Sequence, residues 1–181
     1  MAVFDDSSQV QDGAVLDADL CIVGAGAAGI TLAANLAATK LRVLLLEGGG
    51  ERMSGESQSL YQAEQTGLDY FDLTACRLRY FGGTTNHWGG YCRENDPIDY
   101  ERRPDAGLPG WPLGYDDVAP YVARAAVQLG LDPMGFAPRP HFARHGDAGS
   151  GLLEDLSDQF ETKVFQLSKR LRFQELYADQ L

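Results

Sequence analysis

The chain has 181 residues, 44% of them hydrophobic, which is enough for a globular domain with a core of its own. Acidic residues outnumber basic ones 26 to 15, and the net charge of −11 offers no footprint for a phosphate backbone or an anionic lipid surface, so neither nucleic acid nor membrane is an expected partner. Cys21, Cys76 and Cys92 share no metal-ligand or redox spacing and read as free thiols; with no signal-like start and no apolar run of membrane length, a cytoplasmic protein without a metal is expected.

Residues 1–18 form a polar, acidic lead-in, and one domain begins at Asp19. Leu20-Cys-Ile-Val23 is a short apolar run of the kind found in a parallel strand buried on both faces. It leads directly into Gly24-Ala-Gly-Ala-Ala-Gly29 and then a helix over residues 30–39, whose Ile30, Ala33, Ala34 and Ala37 share a face of small side chains, with Lys40 suited to the C-terminal end of its dipole. A second strand over residues 41–46 ends at Glu47 and Gly48-Gly-Gly50. The expectation is a βαβ unit in an α/β fold, Rossmann-like and part of a doubly wound parallel sheet, with peripheral helices and long loops to follow.

Each residue type in that unit answers a demand set by a dinucleotide. Gly24 permits the tight turn out of the strand, Gly26 lets the backbone with Ala25 approach a pyrophosphate, and Gly29 beside Ala28 lets the helix lie against the strand. The helix start then offers unpaired N–H groups and a positive dipole end to the phosphates. Glu47, 18 residues after Gly29, stands where a carboxylate accepts both ribose hydroxyls and repels a 2′-phosphate, which disfavours NADP against FAD or NAD. The same six residues occur in ordinary alanine-rich helix starts, and the flanking strands and Glu47 are what favour a nucleotide.

The second informative segment is Arg77-Leu-Arg-Tyr-Phe-Gly-Gly-Thr-Thr-Asn-His-Trp-Gly-Gly90. Its glycines let backbone run against a flat ligand, its N–H groups can reach a pyrophosphate or a flavin edge, and Arg79 adds a fixed positive charge; the plain alternative is a flexible glycine loop with a buried tryptophan. Further on, Val118, Tyr121, Val122, Ala125 and Leu129 make an apolar helical face, with Asp116 or Asp117 as cap, Pro120 in the first turn and Gly130 as the stop. Residues 131–151, rich in proline and glycine, read as a long surface loop in which His141 and His145 are solvated. Residues 162–167 are a candidate strand, and Phe173, Leu176, Tyr177 and Leu181 suggest a last helix.

The pair formed by residues 24–29 with Glu47 and by Gly82-Gly-Thr-Thr-Asn-His-Trp-Gly-Gly90 resembles the glucose-methanol-choline oxidoreductases, particularly their pyranose oxidase-like, sugar-oxidising branch; Gly110-Trp-Pro-Leu-Gly-Tyr-Asp-Asp resembles the family's entry into a peripheral helix. The resemblance implies FAD, with Glu47 and Gly48 at the adenosine ribose and Gly82, Gly83, Thr84, Asn86, His87, Trp88, Gly89 and Gly90 along the pyrophosphate and isoalloxazine. His87 stands before Trp88 as does the histidine that pyranose oxidases join to the flavin 8α-methyl group. Asn86 and Gly89 stand where that motif has threonine, so a hydrogen-bonding or stacking histidine is the alternative. The implied reaction is oxidation of an alcohol, of a sugar or glycoside, by hydride transfer to flavin N5 with oxygen or a quinone-type carrier as final acceptor. Family members are longer, so the resemblance also implies an N-terminal part only: the remaining FAD and substrate domains and the catalytic base are expected beyond residue 181, this chain being a fragment, a split chain with a C-terminal companion polypeptide, or one piece of a nicked enzyme. A non-catalytic cofactor-site subunit of a two-chain assembly and an NAD-dependent reductase are the other classes the residues allow.

Overall fold

A computed structural model describes residues 10–133, 135–144, 146, 160–169 and 172–177. The chain divides into two compact units, one built from the residues up to Trp88 together with 171–181, the other from 89–170.

In the first unit β1 (Leu20–Val23) and β2 (Val43–Leu46) pair in parallel, with Leu20 opposite Val43 and Val23 opposite Leu46. The register is fixed at its start by Asp19, whose carboxylate accepts the Arg42 N–H at 2.8 Å and the Arg42 guanidinium at 3.1 Å. At its other end the Gly24 N–H donates to the Leu46 carbonyl at 2.7 Å, which brings Glu47 beside the turn. Between the strands runs α1 (Ala27–Leu36), so the helix begins inside the glycine fingerprint and stops where the Thr39 hydroxyl donates to the Leu36 carbonyl. Its face of Ile30, Ala33 and Ala34 is buried with Ile22 and Ala25; Ile30 at 0% exposure contributes about 2 kcal/mol of burial. The short α7 (Phe173–Leu176) packs on α1 and carries buried Phe173 and Tyr177, with Trp88 edge-on to Phe173.

Both predicted strands are present but shorter at the second, and β1 is buried on one face rather than two. Ile22 points into α1, whereas Cys21 is exposed and Val23 is 83% exposed, because among the described residues nothing covers the opposite face of this two-stranded sheet. All three cysteines are unbridged. Two short helices, α2 (Gly55–Ser59) and α3 (Leu73–Cys76), follow β2 and have no counterpart in the sequence reading.

The second unit is organised by α5 (Tyr115–Gln128) and an antiparallel pair, β3 (Tyr91–Cys92) with β4 (Gln166–Leu167), accompanied by α4 (Pro97–Tyr100) and α6 (Pro138–Arg144). Four sequence expectations change here. The N-cap of α5 is Gly114, whose N–H donates to the Asp117 carboxylate at 2.8 Å, so Asp117 acts from inside the first turn. Pro120 lies within the helix, and the buried residue of its apolar face is Ala126, with Tyr121 and Ala125 exposed. The expected loop over 131–151 contains α6, on which His141 falls; His145 lies outside the described residues, as do 147–159 and Leu181. The candidate strand over 162–167 shortens to β4. The stop at Gly130 is as read: Gly130 N–H donates to Val127 O and Leu131 N–H to Ala126 O at 2.8 Å, a two-bond C-cap with left-handed glycine.

Asp96, just before α4, accepts from Lys163 at 2.8 Å and pairs with Arg93, while Lys163 also pairs with Glu161. The Arg93 guanidinium, and after it the Lys163 ammonium, hold the Asp96 carboxyl below the usual carboxylate range. Stability from a lowered carboxylate pKa is present above its unfolded value and lost as the pH falls through the folded one. Asn keeps the cap, so Asp96→Asn is expected to cost less than about 1 kcal/mol at neutral pH. Urea unfolding should show the gap to the unmutated chain closing below about pH 4; a gap constant down to about pH 2 would remove the ion cluster as its cause. Among the described residues no helix is long and apolar enough to cross a membrane.

Candidate functional site

The site forms where the β1–α1 turn, the end of β2 and the second glycine segment converge within the first unit. Gly24 takes φ +101°, a left-handed conformation costly for any residue with a Cβ, and so turns the chain from strand into helix. A methyl group at Gly29 would sit 1.8 Å from the Gly24 carbonyl oxygen, so this third glycine accommodates the turn's own backbone as well as the strand side chain of Ile22. Gly24 and Gly26 differ from it: their missing Cβ atoms face open space, as a backbone cradle for a ligand requires.

Glu47 is held ready. Its Oε2 accepts the Ala25 N–H at 2.8 Å and its Oε1 accepts the Gly49 N–H at 2.8 Å, leaving one lone pair on each oxygen for an incoming hydroxyl. The carboxylate thereby ties the fingerprint to the glycine run after β2.

The second segment is docked onto the first by backbone. Gly82 N–H donates to the Ala25 carbonyl at 2.8 Å, Phe81 N–H to the Gly50 carbonyl at 3.0 Å, and a methyl at Gly83 would lie 3.2 Å from Gly26 Cα. A methyl at Gly49 would lie 2.2 Å from the Arg79 carbonyl oxygen. Far from being a flexible loop, residues 83–86 form a 3-10 turn entered through left-handed Gly82 and closed by buried Thr85, whose hydroxyl donates to the Gly82 carbonyl at 2.6 Å.

Together these pieces wall a cavity of about 490 Å³ lined by Gly24, Gly26, Glu47, Gly48, Arg79, Gly83 and Thr84 among the sequence candidates, and by Val23, Leu46, Tyr61 and Leu78, which sequence reasoning missed. The other candidates are placed differently. Ala25 is fully buried, and Ala28 is exposed on α1. The Asn86 amide turns inward, donating to the Phe81 carbonyl at 2.9 Å beside Gly82, while its Oδ1 is buried without a partner. His87 is exposed at the end of the 3-10 turn, and Trp88 packs on Phe173. Gly89 and Gly90 belong to the second unit, where buried Gly90 accepts the Ser168 N–H at 2.8 Å. Among the described residues no group of three or more His, Cys, Asp or Glu side chains could hold a metal ion.

A left-handed glycine turn, a helix start and a carboxylate at the tip of the neighbouring parallel strand fit a partial Rossmann-like unit for a dinucleotide. Residues 19–87, which take in the first glycine segment and the second as far as His87, match the family described as lycopene cyclase protein. The chain is 32% identical to an oxygen-dependent choline dehydrogenase of Photobacterium profundum, the alignment covering 59% of this chain and 22% of that protein. It is 25% identical to a 2-methyl-1,2-propanediol dehydrogenase of Mycolicibacterium austroafricanum, over 64% of this chain and 25% of that protein. The chain thus spans about a quarter or less of the length of these relatives.

Proposed function

We propose that this chain supplies the FAD-binding part of a cytoplasmic oxidoreductase that acts on an alcohol, with a sugar or glycoside as substrate class, in the pyranose oxidase-like branch of the glucose-methanol-choline family. The observation that carries this reading is Glu47, preset by the Ala25 and Gly49 N–H groups at the rim of a cavity that Gly24 and Gly26 leave open. The two dehydrogenase relatives and the match of residues 19–87 to the lycopene cyclase family, an FAD-binding one, support it.

The residues present fit the cofactor. Glu47 takes the ribose hydroxyls, the backbone at 24–26 and the start of α1 take the diphosphate, and Gly83 and Thr84 extend the same wall. When bound, FAD supplies a two-electron acceptor for hydride from the alcohol carbon. The reaction also needs a base that removes the hydroxyl proton, a substrate pocket and a route to oxygen or a quinone-type acceptor, and the chain spans about a quarter or less of the length of its two dehydrogenase relatives. The exposed side chain of His87 is free of steric cover, and attachment of the flavin there is part of the proposal.

A visible spectrum before and after acid precipitation tests both parts. Yellow protein is expected, with colour retained in the pellet and released to the supernatant by His87→Ala. Colour wholly in the supernatant of the unmutated protein rejects the bond to His87, and a colourless protein that binds NAD rejects the flavin.

A further inference from the structure

Among the described residues Arg79 is the one side-chain cation in the cavity wall, and it is fixed by two consecutive residues of α2, a segment in which the sequence shows no motif. Gln58, 6% exposed, uses its whole amide: Nε2 donates to the Thr74 carbonyl at 2.7 Å and the Arg77 carbonyl at 2.6 Å, and Oε1 accepts the Arg79 N–H at 3.1 Å. Ser57 holds the other end. Its hydroxyl donates to the Arg79 carbonyl at 2.9 Å and accepts from guanidinium Nη1 at 2.9 Å. The guanidinium then rests over Gly48, where a methyl group would lie 2.6 Å from Nη2, so the glycine after Glu47 gives it its seat.

Two features separate this from ordinary bracing of a loop. The guanidinium pairs with no carboxylate among the described residues, although it is only partly exposed to water. It also faces the same cavity as Gly24 and Gly26, the backbone suited to a diphosphate. A long cationic side chain that is immobilised before binding gives up less rotamer entropy when an anion arrives.

We propose that Ser57 and Gln58 are positioning residues that hold the Arg79 guanidinium for the diphosphate of the nucleotide, an inference that rests on the cofactor reading above. The test is titration of the full chain with FAD, ADP and adenosine. Ser57→Ala is expected to weaken FAD and ADP about tenfold while leaving adenosine within about twofold. Ser57→Thr, which keeps the hydroxyl, should restore the affinity. In an Arg79→Met background, Ser57→Ala should add no further loss. Equal losses for ADP and adenosine, or a full additional loss without the arginine, would overturn the positioning role and leave the cofactor site standing. An unmutated chain that binds neither FAD nor ADP would overturn both.

Discussion

Gly29→Ala is expected to cost the chain about 3 kcal/mol or more of stability and to weaken FAD binding beyond about a hundredfold. The added methyl would lie 1.8 Å from the Gly24 carbonyl oxygen and 3.0 Å from its carbon, and neither belongs to a side chain that can rotate away. Gly24 has little room to yield, since its N–H closes the β1–β2 ladder on Leu46 and its φ of +101° already belongs to the turn. The helix must therefore lift from the turn, taking buried Ile30 and Ala33 with it. Gly26→Ala is the informative contrast. A methyl there meets nothing within 4 Å, so stability should stay within about 1 kcal/mol while the space for the diphosphate is filled and FAD affinity falls. Urea unfolding paired with FAD titration separates the two; a Gly26→Ala protein that binds FAD normally would show that the ligand does not approach this backbone.

Glu47→Gln is expected to lower stability by about 1.5–3 kcal/mol and to weaken FAD about a hundredfold. Both carboxylate oxygens accept backbone N–H groups at 2.8 Å, and an amide can accept through only one of its two ends, so its NH₂ group is set against a donor. Ala25 and Gly49 cannot both remain satisfied, and the link between the fingerprint and the glycine run after β2 is broken. The loss of ligand affinity should exceed the loss expected from stability alone, because the amide also fails as a double acceptor for ribose hydroxyls. An affinity within about twofold of the unmutated chain would take Glu47 out of the nucleotide site.

Local pattern was sufficient wherever a residue's role is set by its immediate neighbours in the chain. The apolar runs before Gly24 and before Glu47, with a small-residue helix between them, specify a parallel pair, and a strand-to-helix turn with that geometry admits only glycine at position 24. Glu47 followed from the same logic, since parallel register places the residue after Leu46 beside the residue after Val23. The C-cap at Gly130 was equally local.

What the sequence could not express is contact between segments far apart in the chain. Gly83 lines the cavity as read, yet the place of its missing methyl lies against the Gly26 backbone, and Gly49, for which the sequence suggests no role, stands where backbone crosses backbone against Arg79. Asn86 was grouped with the ligand-facing residues, but its NH₂ group is engaged by the Phe81 carbonyl inside its own turn. Ser57, Gln58 and Tyr61 carry no motif and reach the site only because α2 folds back onto residues 74–79. Composition and periodicity thus determined the βαβ unit, its turn and its carboxylate, because steric and register constraints act over a few residues. The tertiary structure decided which glycines face open space, how the second segment docks, and what holds Arg79, because those depend on hydrogen bonds closed across about twenty or more residues of intervening chain, as between Ser57 or Gln58 and Arg79.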